Sequence, residues 1–206
     1  MNQKKWLITG CSSGFGRAIA EAALAAGQRV IATARDVRSI ADLERTGSCE
    51  VMALDITDAD NVSEVMAAAG ALDVIVNNAG YGLIGAVEEC SDEQIQRSVD
   101  TNFFGPLNVI RAALPMLRAQ KSGHIVNISA AAVISNYPGF GIYGGAKAAL
   151  EMVHPTAEIE TEIRDLFKRR CELPSGGYLI IEPTEALVSI DVNSGRFTGK
   201  KDPEKT

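Results

Sequence analysis

The sequence predicts an α/β fold: a parallel sheet covered by helices, followed by a helix and a β-hairpin. Three observations predict it. From residue 5 to about 153, short β-branched runs alternate with longer helical stretches, the pattern of successive βαβ units. The first run opens directly into a glycine-rich loop and a helix. After about residue 153 the alternation ceases, and one amphipathic stretch leads into two adjacent β-prone runs. The chain is therefore read as two parts, residues 1–153 and 154–206.

In order, the expected strands of the first part are WLIT, RVIATA, EVMAL, DVIVNN and HIVNIS. The stretches GRAIAEAALAAG and ADNVSEVMAAAG between them carry helical periodicity. A longer helix should start near Ser91, where SDEQ offers a serine N-cap with Gln94 at capping-box spacing, and Pro115 should bend or close its far end. In the second part, TAEIETEIRDLFKRR places Ile159, Ile163 and Leu166 or Phe167 on one stripe, with acids early and bases late as the helix dipole favours. ELPSGG reads as a loop, and YLIIE and ALVSIDV read as two strands joined by a tight turn. The expected docking puts YLIIE beside HIVNIS through a right-handed crossover, with ALVSIDV returning antiparallel at the edge. The terminal GKKDPEKT is charged and expected to fray.

Composition narrows the function. At 206 residues, 46% of them apolar, the chain can bury a substantial core. A net charge of −6 argues against a surface built to displace counterions from phosphates, so nucleic acid is not the expected partner. Cys11, Cys49, Cys90 and Cys171 lack CxxC spacing, which suits reduced thiols better than disulfides or zinc. No apolar run reaches membrane-spanning length and the start has no export signal, so the expected location is cytoplasmic and no membrane partner is expected. His124 and His154 have no partner spacing for a metal or a triad and are read as structural.

The first strand runs into TGCSSGFG, with Gly10, Gly14 and Gly16 between strand and helix. Glycines there permit a tight turn and let backbone N–H groups approach a pyrophosphate at the helix N-terminus. Tyr143 and Lys147 are four residues apart, so on a helix they share a face. A nearby ammonium favours the phenolate and draws a tyrosine pKa down from about 10, making the phenol a usable general acid or base.

The TGxxxGxG spacing, followed in order by Asp55, NNAG at 77–80, Asn102, and Tyr143 with Lys147, resembles the short-chain dehydrogenase/reductase family over residues 5–153. The resemblance implies a Rossmann-like, dinucleotide-binding fold that interconverts a small-molecule carbonyl and alcohol by hydride transfer. It implies that Gly10, Ser12, Ser13, Gly14, Phe15 and Gly16 form the cofactor loop, that Asp55 beside Ile56 meets the adenine, and that Asn78, Ala79 and Gly80 shape the pocket. Tyr143 would exchange the proton, Lys147 would also hold the nicotinamide ribose, and Asn102 would hold a water relay near Lys147. Homo-oligomerisation is left open.

Cofactor choice turns on the end of the second strand, where an acid accepts from the ribose 2′-OH and a base pairs with a 2′-phosphate. That position is Ala34, followed by Arg35, which favours NADP over NAD with Arg35 as phosphate partner. In the alternative, Arg35 is a solvated charge and Asp36 serves the ribose. One departure stands out: the serine that donates to the substrate oxygen in the family falls at Ala130 here. Ser129 is adjacent, but if the strand continues successive side chains face opposite sides and it does not simply take over; in the alternative, the loop shifts by one residue and Ser129 reaches the site. Loss of such a donor costs on the order of 10² to 10³ in rate, so binding without useful catalysis is the second reading.

Residues 157–202, with LPSGG, TEAL and IDVNSGR, resemble the catalytic region of the ribonuclease E/G family, and EIETEIRDLFKRR is consistent with the helix that precedes it. By that resemblance Asp191 would be one of two carboxylates holding Mg²⁺ and Asn193 would orient a phosphate. The second carboxylate is not recognisable, so no metal site is expected and an RNA-processing fragment is the third reading. The strands, Pro-Gly turn and substrate lid that follow the catalytic helix in dehydrogenases are likewise not recognisable. The seam between the two resemblances is expected at His154-Pro155.

Overall fold

The computed structural model describes residues 3–135 and 137–153, and the backbone of 170–172, 178–183 and 187–193. The expected helix over 156–170 therefore falls mostly outside the described residues. The elements are β1 (Lys5–Ile8), α1 (Gly14–Ala25), β2 (Arg29–Ala34), β3 (Cys49–Ala53), α2 (Ala59–Ala69), β4 (Val74–Asn77), α3 (Asp92–Val99), α4 (Gly105–Gln120), β5 (His124–Ile128), α5 (Gly141–Glu151), β6 (Arg170–Glu172), β7 (Tyr178–Pro183) and β8 (Leu187–Asn193). The strands form one sheet in the order β3-β2-β1-β4-β5-β8-β7-β6. β1 to β5 are mutually parallel, which is the Rossmann-like arrangement expected of residues 1–153.

Strand alternation sorts the core onto two faces. Leu7, Ile31, Ile75 and Ile125 point to one side, where they meet Val62, Met66, Val109, Ile110 and Leu117 of α2 and α4. Ile8, Val30, Val76 and Val126 point to the other, where Ala20 and Ala23 of α1 lie with Ile40 and Leu43. Fully burying each valine, leucine, isoleucine or methionine of this set stabilises the fold by roughly 1.5–3 kcal/mol before entropy is counted. Among the described residues, no helix is long and apolar enough to cross a membrane.

Local chemistry sets the helix limits. Asp58 caps α2 by accepting from the amides of Asp60 and Asn61. At α3 the capping box forms as spaced: the Gln94 amide donates to Ser91 Oγ at 3.2 Å, and the Ser91 amide donates to Gln94 Oε1 at 2.8 Å. Two features depart from the sequence reading. Residues Asp100–Phe104 form a π-turn between α3 and α4. Pro115 sits inside α4, which continues to Gln120, because the buried side chains of Ala113 and Leu117 hold the helix to the sheet on either side of the missing N–H.

The hairpin forms and joins the sheet, but with its strands exchanged relative to expectation. β8, not β7, lies beside β5, parallel, pairing Ile125 with Leu187 and Ile128 with Ile190. β7 runs antiparallel on the far side of β8, and β6 antiparallel on β7. β8 is the longer strand and has no proline, so it can pair on both edges; Pro183 lacks a donor and stands at the end of β7, beyond the residues that pair with β6. β6 corrects the reading of Arg170 as helical and Glu172 as loop, since pairing with Ile180 and Tyr178 satisfies a β7 edge that would otherwise stand open.

This docking makes a stability prediction. Ile190 pairs with Ile128 on one side and Ile181 on the other, so Ile190→Pro, which removes a ladder donor, is expected to cost about 1–3 kcal/mol in urea unfolding. An unchanged midpoint would mean that β8 contributes nothing to the sheet.

Candidate active site

At the carboxyl ends of the parallel strands, β1 and β4 send their chains to opposite sides, which is where open α/β sheets form a crevice. A cleft of about 1220 Å³ lies there, lined by Ser12, Ser13, Gly14 and Phe15 of the first loop and, further along, by Tyr143 and Lys147 of α5. Sheet order spreads its walls. Arg35 and Asp55 follow β2 and β3 on one flank, and α5 follows β5 on the other.

The glycines of the first loop serve different ends. A Cβ on Gly16 would stand 2.3 Å from both Asn78 Nδ2 and the Gly10 carbonyl oxygen, so this position must be bare for α1 to seat against the β4 loop. A Cβ on Gly10, whose φ is +71°, would stand 2.8 Å from Ala79 Cα. A Cβ on Gly14, whose φ is +59°, would meet nothing within 4 Å, so its open side leaves room for a group at the start of α1. Ser13, the N-cap, makes no side-chain cap bond there, so the first amides of α1 are not capped by it.

Two loops are stitched together by residues that sequence reasoning only half identified. Thr9 Oγ1 receives the amides of Asn78 and Ala79, both at 3.0 Å, and donates to the Val76 carbonyl at 3.2 Å. The Asn78 amide group donates to the carbonyls of Thr9 at 2.9 Å and Gly10 at 3.1 Å. Asn78 therefore acts on the glycine loop itself. Thr9 was missed; its signal was a hydroxyl residue immediately before the first glycine, and the structure buries it.

On the β2–β3 flank, Arg35 is exposed and lines the cleft. Asp36 instead caps the next turn through the Arg38 amide and pairs with the Arg38 guanidinium at 2.8 Å. Asp55 accepts from both the amide and the hydroxyl of Thr57, at 2.9 and 2.7 Å. Partial burial pushes its carboxyl up, but the Thr57 hydrogen bonds and the charge of Arg35 outweigh this and hold it below the usual carboxylate range. Ile56 packs its side chain where a Cβ on Gly105 would lie, and its carbonyl accepts from Asn108.

On the other flank, polar atoms converge around Gly80. An added Cβ there would stand 2.6 Å from Asn102 Oδ1 and 3.3 Å from Lys147 Nζ. Asn102 is fully buried in the π-turn; its amide donates to the carbonyls of Tyr81 and Ser98, and among the described residues its Oδ1 has no partner. Lys147 is 3% exposed and donates to the Ile128 carbonyl at 2.9 Å, and burial pushes its ammonium from the usual 10.5 down to about 8. Tyr143 lies one turn before it, with the Phe140 ring edge-on at 6.4 Å.

Ser129 and Ala130 both border the cleft. The Ser129 hydroxyl, however, is engaged: it donates to Glu151 at the end of α5. Ala130 offers only a methyl group. Glu151 was also missed by sequence reasoning, although its place four residues after Lys147 put it on the same helix face. Among the described residues no His, Cys, Asp or Glu cluster suits a metal. The side chains of Asp191 and Asn193 lie outside the described residues, as does His154.

The burial of Lys147 carries a pH signature. Its pKa in the folded chain lies below the unfolded value, so between about pH 8 and 10.5 the unfolded chain holds the extra proton. The penalty is full below pH 8 and fades as pH rises. Lys147→Met removes that penalty and loses one hydrogen bond, so the variant should be more stable than the parent by about 1–3 kcal/mol at pH 7. Urea unfolding should show the difference shrinking toward pH 10, and a pH-independent difference would contradict the burial argument.

A family model for the short chain dehydrogenases matches residues 4–165, and one for the ribonuclease E/G family matches residues 145–206. The expected seam at residues 154 and 155 lies within their overlap. The chain is 46% identical over 154 residues to Oxidoreductase claN of Passalora fulva, covering 71% of this chain and 70% of that protein. It superposes on a short-chain dehydrogenase from Streptomyces avermitilis with a TM-score of 0.70 and 44% identity, covering 73% of this chain and 57% of that one. A metagenomic short-chain oxidoreductase, solved in complex with NADP, aligns with a TM-score of 0.67 and 33% identity over 72% of each chain. Other curated oxidoreductases are matched over only 52–56% of their length. The cleft, the sheet order and these likenesses agree: the chain belongs to the short-chain dehydrogenase family of oxidoreductases over residues 4–165, and continues into a segment that matches the ribonuclease E/G family.

Proposed function

We propose that this chain is an NADP-binding oxidoreductase portion that interconverts a small-molecule carbonyl and alcohol, slowed by alanine at position 130. The observation that carries this reading is the convergence at Gly80 of Asn102 Oδ1 and Lys147 Nζ, at the wall of the cleft that Gly80, Tyr143 and Lys147 line. A nicotinamide dinucleotide supplies or takes the hydride when bound. The residues present fit such a group, because Gly14 leaves open space at an N-terminus not capped by its serine, and Asn102 Oδ1 is a buried acceptor with no partner among the described residues.

Each side chain then has a task. The Tyr143 hydroxyl gives its proton to the substrate oxygen during reduction and takes it back during oxidation. Below pH 8 the Lys147 ammonium favours the phenolate and so eases that transfer; above it, the ammonium is progressively lost. The Asn102 carbonyl oxygen accepts from a water that can pass protons toward Lys147. Ser12, Ser13, Gly14 and Phe15 surround the pyrophosphate, Asp55 and Ile56 the adenine, and Ala79 and Gly80 the nicotinamide half.

Support for NADP over NAD comes from the β2 flank, where Arg35 lines the cleft while Asp36 is bound to Arg38. A bidentate guanidinium–phosphate pair is the stronger available contact there. Ala130 weighs on turnover rather than binding. The Ser129 hydroxyl donates to Glu151, so neither residue gives a hydrogen bond to a substrate oxygen in the cleft. Cofactor binding with feeble catalysis is the second reading, and the Ala130 methyl favours it.

Fluorescence titration of the full chain with NADPH and NADH tests the cofactor. NADPH should bind about tenfold more tightly, and Arg35→Ala should erase the preference. Reduction of phenanthrenequinone tests catalysis: Ala130→Ser should raise kcat by on the order of 10² with little change in nucleotide affinity. Binding of neither nucleotide would overturn the proposal.

A further inference from the structure

The end of β5 is fastened to α5 twice. The Lys147 ammonium donates to the carbonyl of Ile128, and the next residue, Ser129, donates its hydroxyl to Glu151. On α5, Tyr143, Lys147 and Glu151 stand on one face in three consecutive turns. A carboxylate is poorly placed here. Glu151 is the last residue of the helix, where the dipole disfavours negative charge, and no basic residue stands in that turn. Ser129, for its part, is 4% exposed, so its hydroxyl requires a partner. Each group answers the other's need.

Resting on the oxidoreductase reading above, we propose that Glu151 is a positioning residue: by accepting from Ser129 it locks the strand end that carries residue 130 in register with the helix that carries Tyr143 and Lys147. Two consequences follow from the bond itself. It occupies the Ser129 hydroxyl proton, so Ser129 does not stand in for the donor absent at Ala130. It also fixes where a hydroxyl introduced at position 130 would sit relative to the Tyr143 phenol. The lock needs an acceptor at position 151, not a charge, so glutamine should serve nearly as well as glutamate.

The test is a double-mutant cycle in the full chain carrying Ala130→Ser, read as kcat for phenanthrenequinone reduction with NADPH. Ser129→Ala and Glu151→Ala should each lower kcat by about tenfold, the pair together by no more than either alone, and KM should move less than about twofold. Glu151→Gln should recover most of what Glu151→Ala loses. Costs that multiply to about a hundredfold in the double variant, or a glutamine as damaging as alanine, would overturn the proposal. Nucleotide binding and Tm separate the two claims. If the parent and Ala130→Ser bind no nucleotide, the oxidoreductase reading falls, and the same cycle read by Tm decides the lock: equal losses in all three variants support it, additive losses overturn it.

Discussion

The site depends on one buried hydrogen-bond group, the stitch between Thr9 and Asn78. It joins the chains leaving β1 and β4 at the point where the sheet's connections diverge. Backbone groups in these loops pair only in part with neighbouring strands, as Cys11 does with Thr33, and leaving the rest buried and unpaired would cost about 1–3 kcal/mol each. Here a hydroxyl and a carboxamide satisfy four of them. Because Asn78 sits against the glycine loop, Gly16 must lack a side chain, and α1 can then begin close to the cleft. The shape of the crevice follows from that packing rather than from any contact with a ligand.

The opposite flank is built on a costly group. Lys147 is buried among polar atoms with no carboxylate paired to it among the described residues; burial is what draws its pKa to about 8. Desolvation of this size lowers stability, and a site that retains it keeps an ammonium beside the tyrosine. The π-turn at Asp100–Phe104 contributes to the same arrangement by carrying Asn102, fully buried, with its Oδ1 toward Gly80. Strain-prone turns of this kind recur where a helix must aim one side chain.

Much of this was legible in the residues, and the reasons for the remainder are physical. Alternation and β-branching located the five parallel strands because burial on both faces demands apolar runs. The Ser91–Gln94 spacing located α3 because capping is a local interaction. The glycine loop was legible as a whole, but not the distinct duties of Gly10, Gly14 and Gly16, which depend on what each would strike. The π-turn was not foreseen, since nothing in DTNFF disfavours an ordinary helix. The partner of Ser129 and the exchange of β7 and β8 were missed for one reason: both are decided by contacts between segments distant in sequence. Pattern can propose that a hairpin docks, but the choice of inner strand rests on which edge can be paired throughout.

The tail gives the joined chain a coherent sheet, because β8 takes the edge of β5 that would otherwise be open. The central claim concerns the other end of the strands, that the cleft at the β1/β4 divergence is where a dinucleotide binds. Amide NMR spectra of the full chain during titration with NADPH test it most directly. The account predicts saturable shifts at Gly14 and Gly80, and none at Gly27, Gly47 and Gly70, which precede strands at the far end of the sheet. Shifts at the second group alone, or none at any of the five, would contradict it.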